Sequence, residues 1–182
     1  MKTIFGILLT ATTLMSCSIL KKETIKGDVS TNWVGQTVTV QSQCPEEGVC
    51  TAERKDASKL TVHTVPSIYT IIEDSEDTLV ILYEYSRKTT AEEQIRDNFY
   101  REEIQFEIPK KDFKKTYKDE QLSEVKLVYG KHCYCKGEAG MYLINKGTLE
   151  VKNNGNKTEV KLQFTAPVSS SKIENIRFVV EG

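Results

Sequence analysis

From Gln36 onward the chain alternates apolar and polar residues with a period of two, the signature of strands with one buried face. QTVTVQSQ (36–43) sets Val38 and Val40 on one side, and TLVILYEYS (78–86) is an aliphatic and aromatic run of strand length. In FYREEIQFEIP (99–109), Ile104, Phe106 and Ile108 point inward and Glu103, Gln105 and Glu107 outward before Pro109 ends the run. The clearest hairpin is GTLEVKNNGNKTEVKLQFTAP (147–167). Leu149 and Val151 share a face with Val160, Leu162 and Phe164 on the return, and Asn154-Gly155 offers the positive φ of a tight turn. Glu150, Lys152, Glu159 and Lys161 line the wet face. Further strands are expected at 60–65, 67–72, 125–129, 141–145 and 176–180.

Two stretches start like helices, TTAEEQIRDN (89–98) and KKDFKKTYKDEQL (110–122), but neither carries an apolar stripe. Each is expected to be a loop with at most one helical turn. Many short strands joined by turns, with no helical crossovers, predict an all-β fold: an antiparallel β-sandwich or barrel, in one domain spanning 33–182.

The N-terminal pattern is different. Lys2 precedes an apolar run, IFGILLTATTLM (4–15), that fits the roughly 7–15 residues of a secretory h-region and falls short of the about 20 that span a bilayer. The run closes on Leu14, Met15, Ser16 and Cys17, which resembles a bacterial lipobox. That resemblance implies a signal peptide over 1–16, diacylglycerol on the Cys17 sulfur, a further acyl chain such as palmitate on the new amino group, and a tether over 17–32. Two or more chains hold a protein stably on a membrane.

Charge narrows the partners. There are 25 basic and 26 acidic residues, and removing a leader that contains only Lys2 leaves 24 against 26, a net charge of −2. Nothing here favours nucleic acid. The apolar fraction of 38 % suits a folded domain with a wet surface.

Beyond Cys17 there are four cysteines, and an even number in an oxidising compartment reads first as disulfides. QCPEEGVC places Cys44 and Cys50 at the ends of a short loop, where a local bridge is the leading pairing. Cys133 and Cys135, in HCYC, project from the same side of a strand near the ~7 Å limit of Cα separation, so a bond between them is strained. The second pairing scheme sends Cys44 and Cys50 to the later pair.

Two chemical readings compete with the structural one. Cys133 and Cys135 form a thiol redox site in one, although the usual redox spacing is C-x-x-C. In the other, His132, Cys133 and Cys135 hold zinc or copper(I), although closed zinc sites normally show C-x₂₋₄-C pairs. Cysteine nucleophilic catalysis needs a histidine partner, and His63 and His132, the only two histidines, read as surface or edge residues.

The carboxylates Glu102, Glu103 and Glu107, and Glu73, Asp74, Glu76 and Asp77, read as solvated strand edges and turns. Gly137 and Gly140 flank a tight turn in preference to a ligand-cradling loop. Trp33 reads as a core plug and Tyr134 as a candidate exposed anchor. No nucleophile elbow, phosphate loop, zinc-protease motif or calcium loop is present in the sequence.

QCPEEGVCTAE followed by LVYGKHCYCKGEAGMYLINKGTLEVK resembles uncharacterised lipoproteins of Bacteroidetes, of the flavobacterial kind. The likeness runs in order through most of the chain after Cys17 and is strongest at the two cysteine motifs and residues 137–147. It implies an outer-membrane lipoprotein of a Gram-negative envelope and contributes no catalytic residue. The expectation is a non-enzymatic binding or structural module without a cofactor, anchored to the membrane and facing a protein or glycan partner. The alternatives are the thiol or metal site at His132, Cys133 and Cys135, and an inhibitor of a foreign hydrolase.

Overall fold

The computed structural model describes the backbone of residues 29–33 and residues 35–90 and 99–182 in full. The chain is all-β, with thirteen strands among the described residues: β1 Val29–Trp33, β2 Gln36–Val40, β3 Gly48–Lys55, β4 Ser58–His63, β5 Tyr69–Asp74, β6 Thr78–Arg87, β7 Tyr100–Pro109, β8 Phe113–Lys118, β9 Val128–Cys133, β10 Gly140–Leu143, β11 Gly147–Asn154, β12 Lys157–Phe164 and β13 Asn175–Glu181. A six-stranded sheet runs β1-β2-β13-β12-β11-β8, a five-stranded sheet runs β10-β9-β7-β6-β3, and β4 and β5 form a separate hairpin. Every pairing is antiparallel.

The two large sheets pack face to face because each has an apolar side to bury. Val38, Val151, Leu162 and Phe178 come from the six-stranded sheet and Leu79, Ile81, Ile104 and Phe106 from the other, all in one cluster. Aromatic rings span the gap: Tyr83 stacks on Phe178 with centroids 5.2 Å apart, and Tyr129 lies 5.8 Å from Phe164. The expected 147–167 hairpin forms as β11 and β12, with Leu149 opposite Leu162 and Val151 opposite Val160. Across its wet face, Lys161 meets Glu150 at 3.2 Å and Lys152 meets Glu159 at 3.7 Å.

Several expectations are corrected. Residues 110–122 are not a loop: 113–118 form β8 and Asp119–Val125 form a 3-10 helix, with Lys126 closing it in the left-handed region at φ 53°. Tyr117 on β8 and Leu122 and Val125 on the helix supply the buried side that the sparse pattern concealed. That helix ends at Val125, the first residue of the strand expected at 125–129, and its cap Lys126 and Leu127 lead out of it, so β9 starts at Val128 and runs to Cys133. β3 was not expected, because its inward positions are Cys50, Ala52 and Arg54, which do not read as an apolar stripe. The first strand begins at Val29, inside the segment assigned to the tether. Residues 1–16, Cys17, the Trp33 side chain and most of 89–98 lie outside the described residues.

A buried charge closes each end of the sandwich. At one, Arg54 is held by Asp56 at 2.8 Å, Asn153 at 3.3 Å and Thr158 at 3.2 Å. At the other, Glu102 accepts the backbone N–H of Lys172 at 3.0 and 2.9 Å and the hydroxyls of Ser171 and Tyr100. Beside it Lys131, also buried, pairs with Glu138 and Ser170. A buried charge is costly unless its partners are supplied: Arg54 and Lys131 each meet a carboxylate, and Glu102 is met by hydroxyl and backbone N–H donors.

Candidate functional site

The outer face of the five-stranded sheet brings polar side chains of four strands into a connected set beside a groove. Register puts Val49, Ser86, Arg101 and His132 in one row across β3, β6, β7 and β9. Thr51, Glu84, Glu103 and Gly130 form the next, and Glu53, Leu82, Gln105 and Val128 the third. Strand alternation alone sends these residues outward, as it sends Ile104 and Phe106 inward.

The outward charges are not left to water. Hairpin β4–β5 folds across the lower part of this face: the Leu60 N–H donates to Glu107 at 2.6 Å, Lys126 Nζ bonds both the Leu60 carbonyl and Glu107 at 2.8 Å, and Thr70 reaches Gln105 at 2.8 Å. Leu60 is thereby fully buried, together with Val80 beneath the hairpin. A groove of about 400 Å³ remains beside the hairpin, lined by Thr51, Ile72, Leu82, Glu84, Glu103 and Gln105.

Above the groove, Glu103 is the hub. His132 Nε2 stands 3.0 Å from its Oε1, Gln105 donates at 3.1 Å, and Arg101 lies 3.6 Å away. A carboxylate only accepts, so His132 carries a proton on Nε2. Arg101 also reaches Glu84 at 3.6 Å, and Ser86 donates to Glu84 at 2.6 Å. Burial pushes the Glu103 carboxyl up, but the His132 hydrogen bond and charge, with Arg101 and Gln105, outweigh it and hold the group below its ordinary range. A carboxylate so stabilised is a weak proton acceptor near neutral pH.

Glu103 and Glu107 therefore lie outward as expected, at 15 % and 16 % exposure, but they are not solvated edges. Glu102 is corrected more fully: it points into the sandwich and is buried, because the loop 169–172 supplies its donors. Glu73, Asp74, Glu76 and Asp77 are exposed, as expected.

Cys44 is bonded to Cys50, with Cα atoms 5.8 Å apart, and Cys133 to Cys135, with Cα atoms 5.2 Å apart. The cross-pairing scheme is not adopted. β9 ends at Cys133 and the backbone bends at Tyr134, which shortens the span below the about 6.6 Å of two extended residues. Both sulfurs are used, and His132 faces Glu103 on the opposite side, so the three donors do not converge on one point. Among the described residues no group of three or more His, Cys, Asp or Glu is placed to hold a metal ion. Gly137 and Gly140, both at positive φ, shape the turn that carries Glu138 back to Lys131. His63 stacks on Tyr69, with ring centroids 4.5 Å apart, on the outer side of the hairpin.

Arg101, Glu84 and the hairpin cover were not legible in the sequence, where outward charges on strands read as a wet surface. The one local signal is Gly130: a Cβ there would fall 2.8 Å from Glu103 and 3.0 Å from His132 Nε2, so the glycine leaves room for that pair. Compared with family models, curated proteins and solved structures, the chain matches none.

Proposed function

We propose that this protein is a non-enzymatic binding module of a Bacteroidetes-type outer membrane, anchored by lipid on Cys17 and presenting the outer face of the five-stranded sheet to a protein or glycan. The observation that supports the reading is the Arg101–Glu103–His132 cluster beside the groove. Charged groups held in fixed register by one another, next to apolar walls from Ile72 and Leu82, make a preorganised recognition surface. The low basicity of Glu103 suits a hydrogen-bonding role better than proton abstraction. The lipobox-like Leu14 to Cys17 supports the anchor.

The test combines mass and binding. Intact and non-reducing peptide mass spectrometry of protein extracted in detergent is expected to show lipid on Cys17 and four paired cysteines. Titration with soluble peptidoglycan fragments and with lysozyme, as glycan and protein probes, is expected to give saturable binding that Arg101→Ala weakens about tenfold, the effect of about 1.4 kcal/mol. An unmodified Cys17, free or metal-bound Cys133 and Cys135, or turnover of a probe overturns the reading.

A further inference from the structure

The outer face of the six-stranded sheet holds a surplus of positive charge. Register places Thr116, Glu150, Lys161 and Arg177 in one row across β8, β11, β12 and β13. Lys114, Lys152, Glu159 and Val179 form the row on one side of it, and Lys118, Thr148, Gln163 and Asn175 the row on the other. Strand alternation sends all of them outward, away from the buried Leu149, Val151, Leu162 and Phe178.

The carboxylates on this face are taken. Glu150 meets Lys161 at 3.2 Å, Glu159 meets Lys152 at 3.7 Å, and Glu181, one row farther along, meets Lys157 at 2.6 Å. Lys114, Lys118 and Arg177 are exposed and, among the described residues, have no carboxylate partner. Six cations thus stand against three carboxylates here, in a chain whose formal charge is −1. The five-stranded sheet has the opposite balance, with Glu53, Glu84, Glu103 and Glu107 outward against Lys55 and Arg101. A shallow groove of about 290 Å³ crosses the positive face from Lys114 on β8, past Lys152 and Lys161, to Arg177 on β13.

The chemistry and spacing of this face choose the partner. Val179, itself buried, is the one outward apolar side chain among the described residues of β2, β8 and β11 to β13. The face therefore lacks the aromatic and apolar anchors that protein interfaces and membrane-seated surfaces use. Lys114 and Lys118, four positions apart on β8, stand about 14 Å apart, and Arg177 is three strands away at about the same distance. A single small anion does not reach all three, whereas a polymer with a negative group on successive repeats does.

We infer that the outer face of the six-stranded sheet binds an anionic polysaccharide, which lies along the groove from Lys114 to Arg177 and places its negative groups on Lys114, Lys118 and Arg177. This is a second surface, on the side of the sandwich opposite the Glu103 cluster, and it needs neither lipid on Cys17 nor a ligand at that cluster. Release of the polymer's counterions drives the contact, so it weakens steeply with salt. Nucleic acid is also a polyanion, but single strands add stacking on aromatic rings, and this face offers none.

The test uses the full chain with polygalacturonate as the charged probe and dextran as its uncharged counterpart. Polygalacturonate is expected to bind and dextran not. Three ionic contacts predict a loss of affinity of roughly tenfold or more between about 50 and 200 mM salt. The triple variant Lys114→Gln, Lys118→Gln, Arg177→Gln is expected to lose about tenfold or more at the lower salt, by the same three contacts. A second triple variant, Lys88→Gln, Lys136→Gln, Lys172→Gln, changes net charge equally at exposed positions off this face and is expected to bind as the wild type does. If the first variant does not fold, Lys114→Gln and Lys118→Gln on the edge strand are read alone. Equal losses in the two triple variants reduce the attraction to net charge and overturn the proposal, as does no binding of polygalacturonate or equal binding of dextran. A DNA duplex or phosphatidylglycerol vesicles, bound at least as tightly and lost in the first variant, assign the face to nucleic acid or lipid and overturn it too.

Discussion

Glu103 and Gly130 lie directly opposite one another on β7 and β9, and the missing side chain of Gly130 is what admits the Glu103 carboxylate to His132. The pair explains why a charged residue on a strand face can be largely covered: its lone pairs are filled by His132, Gln105 and Arg101 before the hairpin closes in.

Gly130→Ala is therefore expected to displace Glu103 and to destabilise the domain by about 1–3 kcal/mol, the usual cost of overpacking. In a Glu103→Ala background the same substitution should cost much less. Urea unfolding of the four proteins of this cycle measures the coupling, and additive effects would refute the steric explanation.

The ion pair under the 133–140 turn has its own pH signature. The Lys131 hydrogen bond, followed by those from Ser170 and Ser169, draws the Glu138 carboxyl down to about 2 from 4.5. A depressed folded-state pKa stabilises the fold above the unfolded value, and that contribution is lost as pH falls from 4.5 through about 2. Glu138→Gln should flatten the stability profile in this window and leave its slope above pH 6 unchanged; a parallel profile would show that Glu138 is not the titrating group.

Glu102 answers to the loop 169–172. Replacing it with alanine leaves the Lys172 N–H, the Ser171 hydroxyl and the Tyr100 hydroxyl without their acceptor, for an expected loss of about 3 kcal/mol. Burial, followed by the hydrogen bond and charge of Glu102, also pushes the Tyr100 phenol well above its ordinary range. Burial, followed by the charge of Glu102, raises the Tyr129 phenol as well, so ultraviolet titration of Glu102→Gln should show Tyr100 and Tyr129 ionising at lower pH than in the wild type.

The local bridges make a distinct prediction from cross-pairing. Cys44→Ala with Cys50→Ala removes a bond across six positions, worth about 2–3 kcal/mol by loop-closure entropy. Non-reducing peptide maps should show Cys133 and Cys135 bonded to each other and closed to alkylation before and after that change, whereas cross-paired bridges would link them to the Cys44 and Cys50 peptides before it and leave both thiols free after it.

Hairpin β4–β5 is held by Leu60 as well as by Glu107 and Lys126. Leu60→Ala should cost about 2–5 kcal/mol through lost burial and the cavity left behind. It should also speed hydrogen exchange in the β4–β5 ladder, such as at Thr61 and Ile71, more than in β11–β12. Equal protection in both hairpins would mean that the cover does not open as a unit.

The sequence by itself determined the strands whose alternation is strong. Val38 and Val40, Ile104 to Ile108, and the Leu149 to Phe164 hairpin each bury one face, and a shift of one residue would expose the whole set to water, so the pattern leaves little choice. It also carried the all-β class and the short reach between Cys44 and Cys50. It did not carry β3 or β8, whose inward positions are small, charged or few, and which form because neighbouring strands supply their backbone hydrogen bonds. Tertiary structure alone decided the fate of the charges. Glu102, Glu103 and Glu107 stand within six positions of one another and read alike, yet one is buried under the 169–172 loop, one is half-covered and held by Arg101 and His132, and one is half-covered by the hairpin and Lys126. What separates them is the identity of partners distant in sequence, which strand periodicity does not encode.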